Sequence, residues 1–434
     1  MFKTYLVQTV LKIMNRFIVL ITIFGFFNFH CKKEIVVDAS GTIIKLTPLW
    51  SSSTTDGKIA ESGLIGTTVL FNNGILVGGR QNNSNALLML DINSGSKKWT
   101  WQDYPTTTGF RLFDFPVITG NNMICHELYF NVNIDLGLGK TVWKNAFDGY
   151  SYDQLNNFFN GIIYCGNEGS HNYNNKPVGA YMLDMQTGTP QFILPIKIDT
   201  TDALARTGYS GEASCVYPFI YNSDTLISIV VTDPPITGYR FRLTTCLYNL
   251  SKKQWVYERM PLFNVSNGGV SGKPVVFGKN MYVCSGGGFS CFDMLTGNIK
   301  WSTNFPGTDS PSAFLTSSPL IADGKIFVQN ENLYLYCLDP NTGTTIWKQG
   351  IFGTCSQMAY LNGVVYFVCG GDGKLYAIDA ANGNKLWAIP SPDLKNNSGA
   401  SFDRYVGLVP PQNGQKGKIV VTTGLNAYCY EAYK

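Results

Sequence analysis

The chain has 434 residues, of which 44% are hydrophobic and 14% charged, and its formal net charge is +4 at pH 7. Three of the 33 basic residues, Lys3, Lys12 and Arg16, lie in the first 30 positions, which hold no acid, so basic and acidic residues nearly balance in the remainder. This balance does not favour nucleic acid or an anionic membrane surface as a partner. The 45 glycines suit a β protein rich in turns.

The N-terminus carries an uncharged run, Phe17–Phe27, which is followed by Cys31. A membrane-spanning helix needs about 20 apolar residues, so this shorter run fits the apolar core of a signal peptide better. We therefore predict a signal peptide of the bacterial lipoprotein type over residues 1–30, lipidation at Cys31 and a tether over 31–41. His30 stands where such signals usually carry a small residue, so an ordinary cleaved signal and an uncleaved anchor remain alternatives. Met14 is an alternative start.

The rest of the chain repeats one pattern: an apolar run that ends in Asp or Asn, a turn, and an aromatic residue about eight positions later. In the clearest copy Asp379 is followed by Gly383 and Trp387. Seven such units end at Trp99, Trp143, Phe192, Trp255, Trp301, Trp347 and Trp387. These aromatic residues are mostly 40 to 49 positions apart. Such a period is typical of a four-stranded propeller blade.

The pattern inside each unit favours strands over helices. Two short apolar runs rich in β-branched and aromatic residues precede each Asp, as in Pro319–Ile321 followed by Lys325–Val328. An eighth unit begins near Gly407 and reaches Glu431 without a closing aromatic strand, whereas a lone strand, Thr42–Trp50, lies near the N-terminus. We predict an all-β fold, one eight-bladed β-propeller over residues 42–434, whose N-terminal strand completes the last blade and closes the ring.

The segment from Ala377 through Asp379 and Gly383 to Trp387 resembles the tryptophan-docking repeat of pyrroloquinoline-quinone-type β-propellers. In that family each Trp packs against the neighbouring blade. The resemblance implies a blade-docking role for Trp50, Trp99, Trp143, Phe192, Trp255, Trp301, Trp347 and Trp387. Because Phe192 replaces Trp and the turn before Trp255 is shorter, we expect an irregular second quarter with a long loop between them.

Most cysteines are predicted to be packing residues. Cys291, Cys337 and Cys429 occupy the position that Ala377 holds in the best repeat, where a small buried side chain fits. Cys284 and Cys291 flank a glycine-rich hairpin, so a disulfide between them is the alternative. No Cys-x-x-Cys pair occurs, which argues against a thioredoxin-like site, a zinc ribbon and attached haem.

The sequence predicts no catalytic residue and no metal ligand. Beyond the signal segment it has two histidines, His126 and His171, in different units and without a metal-binding spacing. The segment around Ser210 lacks the last glycine of a nucleophile elbow. Gly139-Lys140-Thr141 lacks the first glycine of a phosphate-binding loop, so it is interpreted as a blade turn.

Fold and anchor together resemble the propeller lipoprotein of the outer-membrane β-barrel assembly machinery. The preferred hypothesis is therefore a monomeric, non-enzymatic lipoprotein of the bacterial outer membrane that binds envelope proteins and needs no cofactor. The first alternative is a glycan-binding propeller, whose candidate stacking residues are Tyr150, Tyr152, Tyr173 and Tyr209. The second is a quinone-dependent dehydrogenase with pyrroloquinoline quinone and calcium, which the family resemblance implies. This chain has no adjacent Cys-Cys pair and no calcium-ligand set that maps onto that family.

Overall fold

A computed structural model describes most of the chain from residue 46 onward. The described residues are 46–56, 66–82, 84–103, 115–127, 130–146, 157–170, 177–199, 209–233, 240–267, 270, 272–285, 288–305, 317–353, 355–396 and 400–434. They belong to one compact unit, Lys45–Lys434. The predicted signal peptide, Cys31 and the tether lie outside the described residues.

Strands dominate the described residues. Those of the first half are β1 (Trp50–Ser53), β2 (Leu70–Phe71), β3 (Gly74–Gln81), β4 (Ser84–Asp91), β5 (Lys97–Trp101), β6 (Val117–Thr119), β7 (Asn122–Glu127), β8 (Phe130–Asp135), β9 (Lys140–Ala146), β10 (Asn157–Phe159), β11 (Ile162–Gly166), β12 (Glu168–Ser170), β13 (Gly179–Leu183), β14 (Pro190–Pro195), β15 (Tyr209–Tyr221) and β16 (Asp224–Thr232).

The second half continues the same arrangement. Its strands are β17 (Arg240–Asn249), β18 (Gln254–Asn267), β19 (Val275–Phe277), β20 (Asn280–Ser285), β21 (Gly288–Asp293), β22 (Ile299–Asn304), β23 (Leu320–Ala322), β24 (Lys325–Asn330), β25 (Tyr334–Leu338), β26 (Thr345–Gly350), β27 (Ala359–Leu361), β28 (Val364–Cys369), β29 (Lys374–Asp379), β30 (Lys385–Pro390), β31 (Phe402–Val409), β32 (Lys418–Thr423) and β33 (Asn426–Glu431). Within the described residues, the helical structure is one 3-10 turn, Pro392–Asn396.

These strands form eight antiparallel sheets, each a blade. Blade 1 consists of β2–β5, blade 2 of β6–β9, blade 3 of β10, β11, β13 and β14, and blade 4 of β15–β18. Blades 5, 6 and 7 consist of β19–β22, β23–β26 and β27–β30, and blade 8 consists of β31–β33 with β1. The predicted all-β, eight-bladed propeller with four-stranded blades is confirmed.

The ring closes as predicted, by pairing of the first strand with the last blade. β1 is antiparallel to β33, with Trp50 opposite Cys429. The strand begins at Trp50, whereas the sequence predicted that it ends there. Residues 42–45 lie outside the described part of the chain. The strand pairing does not extend back along the chain to Pro48, because proline has no N–H to donate to the ladder.

The order of strands gives the ring two different faces. Each blade runs from an inner strand A outward through B and C to an outer strand D, and all neighbours are antiparallel. The A–B and C–D turns therefore lie on one face, which we call the turn face. The B–C hairpins and the linkers to the next blade lie on the opposite face, which we call the linker face.

Indole groups join consecutive blades on the turn side. Trp301 of blade 5 donates its Nε1–H to the carbonyl of Pro340 in the C–D turn of blade 6, at 3.0 Å. Gly343 of that turn has φ +70° and lies against the indole, so a side chain there would collide with the ring. Equivalent bonds run from Trp50 to Ile92, Trp99 to Leu136, Trp143 to Met185 and Trp347 to Ala380.

The remaining predicted docking residues make other contacts. At the junction of blades 4 and 5, the hydroxyl of Tyr257 donates to the Met294 carbonyl at 2.9 Å, while Trp255 packs edge-on against Tyr248. Tyr257 lies opposite Leu247 and eight residues after Asn249, just as Trp301 lies opposite Cys291 and eight residues after Asp293, so Tyr257 and not the predicted Trp255 holds the docking position of blade 4.

Phe192 and Trp387 differ from each other in burial. Phe192 is 42% exposed and packs edge-on against Tyr181. Trp387 is buried and packs against Tyr366 within its own blade.

The shape of the C–D turn, which recurs from blade to blade, follows from its first residue. In blade 3 the Asp184 carboxylate accepts hydrogen bonds from the Gln186 and Thr187 amides and from the Thr187 hydroxyl. The bonds from Thr187 and then Gln186 lower the pKa of Asp184. An ionised Asp therefore replaces the backbone partners that a tight turn leaves unpaired.

Blade 4 carries the irregularity that the sequence predicted for the second quarter of the ring. Much of its extra length is in strands rather than in the expected loop. β15 has 13 residues and β18 has 14, whereas inner strands such as β19 have 3. β12 adds a fifth strand at the inner edge. At the linker end of this blade, Arg259 pairs with both oxygens of the buried Asp233, at 2.9 and 2.6 Å.

Tyr405 gives a stability prediction for the closing blade. Its side chain is 1% exposed, its hydroxyl has no hydrogen-bond partner among the described residues, and burial raises its pKa. A buried unpaired hydroxyl costs free energy. We expect Tyr405→Phe to raise the free energy of unfolding by about 1 kcal/mol in urea denaturation. Tyr428→Phe is the control and should lower it, because the Tyr428 hydroxyl donates to Asp393 at 2.6 Å. Destabilisation by both variants would contradict the assignment.

Candidate functional site

Four blades carry a residue–proline pair at the inner strand, three directly before the strand and one within β15. These pairs are Phe115-Pro116, Tyr217-Pro218, Lys273-Pro274 and Ser318-Pro319. Proline restricts the preceding residue to extended conformations, so these residues enter the inner strands with a fixed backbone. In each case the residue before proline stands three positions ahead of the last but one residue of its inner strand. Thr67 and Gln357 stand at the same distance in β2 and β27, although no proline follows them. We call this the funnel position.

The funnel positions meet at a central cavity. The cavity has a volume of about 480 Å³ and lies at the linker ends of the inner strands. Its wall includes the funnel-position residues Thr67, Phe115, Tyr217, Lys273, Ser318 and Gln357. Asn157 and apolar residues of blades 5 to 7 complete the described lining. Cavities of this size hold a small molecule or a few side chains of a partner.

Hydrogen bonds fix three successive funnel positions. The Lys273 amide donates to the Ser318 hydroxyl at 2.6 Å, and the Ser318 amide donates to Oε1 of Gln357 at 3.0 Å. Gly272 has φ +70°, and a Cβ there would lie 2.7 Å from the Ser318 nitrogen. Glycine is therefore required for the linkers of blades 5 and 6 to approach so closely. The backbone that carries Lys273 is consequently held on both sides.

Lys273 gives the cavity its charge. Its Nζ lies 5.5 Å from the centre of the Phe115 ring, a cation–π distance. Burial lowers the pKa of Lys273 from its ordinary value. Among the described lining residues, Lys273 is the one charged side chain and none is a carboxylate. The described wall therefore combines one cation, aromatic surface and neutral hydrogen-bonding groups.

A disulfide anchors the linker that carries Gln357. It joins Cys355 of that linker to Cys369 at the end of β28. Ser356 adds a bond from its amide to the Val368 carbonyl at 2.8 Å, and its hydroxyl accepts from the Val368 amide at 3.0 Å. The linker is thus attached to its blade immediately before it reaches the cavity.

The disulfide considered from the sequence does not form. Cys284 and Cys291 are both free and buried. In the ladder of β20 and β21, Cys284 lies opposite Phe289 and Cys291 opposite Tyr282, so the two thiols are not neighbours across the strands. The Cys355–Cys369 pair went unrecognised because it joins a linker to a strand.

The packing role predicted for Cys291, Cys337 and Cys429 is confirmed. Each is fully buried and lies directly opposite a docking indole, those of Trp301, Trp347 and Trp50 respectively. Burial raises the pKa to about 11 for Cys291 and Cys337 and to about 12 for Cys429. Such thiols are weak nucleophiles at neutral pH.

Several sequence candidates cannot be placed in a site. Tyr150, Tyr152, Tyr173 and His171 lie outside the described residues. His126 and Tyr209 lie in β7 and β15, but their side chains are not among the described parts. The described ranges contain no group of three or more His, Cys, Asp or Glu side chains that could hold a metal ion. They also contain no helix long and apolar enough to cross a membrane.

The described funnel wall does not fit a calcium–quinone centre. Calcium takes six to eight oxygen ligands and relies on carboxylates. The oxygen donors in this wall are neutral, including those of Thr67, Asn157, Ser318 and Gln357, and they share the cavity with the Lys273 ammonium. A cation beside uncharged donors opposes binding of a divalent metal.

The sequence carries a signal for the funnel residues. The prolines at the head of the inner strands identify strand starts, but the residue before each proline carries the chemistry. That residue varies from Phe to Tyr, Lys and Ser, while the flanking pattern repeats. Aligning the units on the proline would have placed Lys273 beside Phe115 and Tyr217, since equivalent positions of a ring face the same axis.

The comparisons with known proteins agree with the propeller architecture described above. The family model described as outer membrane protein assembly factor BamB matches residues 264–349 and 309–420, which include the funnel residues of blades 5 to 7. Residues 264–420 of this chain match a PQQ-like propeller family, and the described strands form an eight-bladed β-propeller. Among curated proteins, none matches this propeller.

Solved structures share the propeller fold at low sequence identity. BamB from Moraxella catarrhalis has a TM-score of 0.54 and 11% identity, covering 89% of this chain and 100% of its own. The quinohemoprotein alcohol dehydrogenase from Comamonas testosteroni has a TM-score of 0.57 and 12% identity, covering 89% and 76%. Sqt1 from Saccharomyces cerevisiae has a TM-score of 0.59 and 13% identity, covering 90% and 100%. These neighbours include an assembly factor and an enzyme, so they establish the fold of this propeller alone.

Proposed function

We propose that this propeller is a non-enzymatic binding platform of the bacterial cell envelope, anchored through a lipid on Cys31, whose linker face contacts a protein partner. The observation that carries the proposal is the exposed apolar surface on that face. Phe352 is 56% exposed in the linker between blades 6 and 7, and Leu333 is 46% exposed in the neighbouring B–C hairpin. The Ile351 amide donates to the Leu333 carbonyl at 2.8 Å, so the two segments are adjacent.

Exposed apolar side chains that lie next to each other in a continuous patch are typical of protein contact sites. The segment around Phe352 is well fixed, because the Gly371 amide donates to the Phe352 carbonyl at 3.0 Å and the disulfide follows at Cys355. A fixed apolar side chain loses little conformational entropy when a partner covers it. The match to the BamB model supports the same function class, since its description is that of an assembly factor.

A quinone-dependent dehydrogenase is the second candidate, favoured by the structural similarity to an alcohol dehydrogenase. The donor set of the described funnel weighs against it, because a lysine stands where a divalent cation would need anionic ligands. Dye reduction by the purified chain with calcium, pyrroloquinoline quinone and an alcohol would support the dehydrogenase over the platform.

Photo-crosslinking in cells distinguishes the two faces. We would place a benzophenone amino acid at Phe352 on the linker face and, as the matched control, at Phe277, which is also 56% exposed but ends strand A on the turn face. The full chain with its own signal segment is expressed and irradiated. We expect a discrete protein adduct from position 352 at a yield at least fivefold above that from position 277.

Equal yields from the two positions would contradict the assignment of the linker face. No adduct from either position, with the chain folded and membrane-associated, would contradict the platform itself. Palmitate labelling that is lost in Cys31→Ala tests the anchor separately.

A further inference from the structure

We propose that the turn face is the side of the ring that faces the membrane, and that four exposed apolar side chains on it rest against the lipid surface. These residues are Leu49, Leu70, Leu138 and Val142, and we call them the lipid-contact patch. The inference rests on the lipid anchor of the proposed function. It adds the orientation of the ring and a second contact with the membrane, which an anchor alone does not require.

The first argument is the place where the chain enters the ring. β1 is the outer strand of blade 8, and the indole N–H of Trp50, its first residue, is donated to the Ile92 carbonyl in the C–D turn of blade 1. The strand therefore begins on the turn face. Cys31 lies 15 positions before Leu46, the first described residue.

This distance along the chain limits how the ring can lie on a membrane. Fifteen residues span at most about 50 Å, so a lipid on Cys31 holds the rim of the turn face near the membrane. Contact through the linker face would add the height of a blade to that path, about 20 Å for a strand of six residues. The entry point therefore favours the turn face as the side next to the lipid.

The second argument is the exposure of large apolar side chains on this face. Leu138 is 65% exposed in the C–D turn of blade 2, and Val142 is 55% exposed in β9, just after that turn. Leu49 is 53% exposed beside the start of β1, and Leu70 is 38% exposed at the turn-face end of β2. Binding at a lipid surface strengthens with the apolar area that a protein buries there.

The third argument is that the patch lies on one continuous sector of the ring. The docking bond of Trp50 joins blade 8 to blade 1. The Trp99 indole donates to the Leu136 carbonyl at 2.9 Å and so joins blade 1 to the C–D turn of blade 2. A Cβ on Gly137 of that turn would lie 3.7 Å from the ring of Phe71 in β2. Blades 8, 1 and 2 therefore present the patch together, at the point where the chain enters.

The fourth argument is that the most exposed member of the patch is held in place. The Asp135 carboxylate accepts hydrogen bonds from the Gly137 and Leu138 amides, both at 2.8 Å. The Gly139 amide donates to the Asp135 carbonyl at 2.8 Å and completes the turn. A side chain on a fixed turn loses little conformational entropy when another surface covers it.

The occupant of the patch follows from the part of the chain that joins this face. The A–B and C–D turns of blades 1 to 7 all belong to the described residues, and the described chain leaves the patch exposed. The segment that enters the ring at the patch is residues 1–45, which includes the proposed lipid site at Cys31. A bilayer is therefore the apolar partner that the anchor itself brings to this sector. Since basic and acidic residues nearly balance, the contact requires no anionic lipid.

The test measures how close each face lies to lipid. The full chain is expressed with its own signal segment, its anchor is confirmed by palmitate labelling, and it is reconstituted into phosphatidylcholine vesicles. A bimane label on Leu138→Cys reports the turn face, and the same label on Phe352→Cys, which replaces a side chain that is 56% exposed, is the matched control on the linker face. The free cysteines of the described residues are buried and do not compete for the label. We expect lipids that carry doxyl groups to quench the label at 138 at least threefold more strongly than the label at 352.

A second measurement separates lipid contact from tethering alone. The label is placed on Lys97→Cys, an exposed position at the start of β5 in the same sector. We expect Leu138→Asp combined with Val142→Asp to lower the quenching of this label at least twofold, because a charged side chain is costly to bring into the lipid boundary. Leu333→Asp, on the linker face and 46% exposed in the wild type, is the control and should leave the quenching unchanged. Circular dichroism checks that each variant is folded.

Equal or stronger quenching at 352, or quenching at neither position in a palmitoylated chain, would overturn the inference. Unchanged quenching in the double aspartate variant would show that the tether alone orients the ring, and the lipid-contact patch would fail. Energy transfer between labelled chains that rises with their number per vesicle would assign the patch to a second copy instead.

These failures differ from a failure of the proposed function. If the chain is palmitoylated and the protein crosslink at position 352 forms, the anchored platform stands even when the turn face does not meet lipid. If palmitate labelling is absent, the anchor fails and this inference fails with it.

Discussion

We expect Trp301→Ala to lower the free energy of unfolding by about 4 kcal/mol. The indole is buried between blades 5 and 6, and its Nε1–H is bonded to the Pro340 carbonyl at 3.0 Å. Truncation leaves a cavity against Gly343 and an unpaired carbonyl in the turn. Both effects act at one of the interfaces that hold the ring together. Urea denaturation followed by tryptophan fluorescence and circular dichroism measures the loss.

The matched control is Trp255→Ala in blade 4. Trp255 packs edge-on against Tyr248, while Tyr257 makes the bond to the next blade. We expect a loss of about 1 to 2 kcal/mol, which is the value of the packing alone. A loss in Trp255→Ala as large as that in Trp301→Ala would show that edge packing, and not docking on the adjacent turn, dominates the stability of the ring.

Asp393→Ala is the second substitution expected to have a large effect, a loss of about 3 kcal/mol. Asp393 lies in the 3-10 turn between blades 7 and 8 and is 3% exposed. It accepts hydrogen bonds from the Thr423 hydroxyl at 2.5 Å, the side-chain Nδ2 of Asn426 at 2.9 Å and the Tyr428 hydroxyl at 2.6 Å. Its removal leaves all three donors without this partner, two of them on the buried residues Thr423 and Tyr428, and charged acceptors form the stronger bonds.

Asp393→Asn separates charge from shape. The amide oxygen of Asn still accepts, but its NH2 group faces donors, so we expect about half of the loss seen in Asp393→Ala. Thermal unfolding with circular dichroism provides the measurement. An Asp393→Asn variant as stable as the wild type would mean that the carboxylate charge contributes nothing at this junction.

The sequence determined the repeat, and therefore the fold. Period, turn residues and aromatic positions recur locally in each unit, so a pattern that ends at Trp347 or Trp387 identifies a blade without knowledge of its neighbours. Closure by the first strand also followed, because Trp50 had no unit of its own and the last blade lacked its outer strand.

Contacts between units were decided by the tertiary structure. The docking contact of blade 4 is made by Tyr257 and not by Trp255, and only the bond to the Met294 carbonyl shows that a tyrosine hydroxyl takes the place of an indole there. The Cys355–Cys369 disulfide depends in the same way on a linker that crosses its blade.

The funnel shows this division most clearly. The sequence placed a proline at the head of several inner strands, and proline alone predicts an extended residue before it. Only closure of the ring brings Phe115, Tyr217 and Lys273 of three different blades to one cavity. Local periodicity fixes each blade because its hydrogen bonds are made within about 40 residues, whereas the site is made of residues that only the circular arrangement brings together.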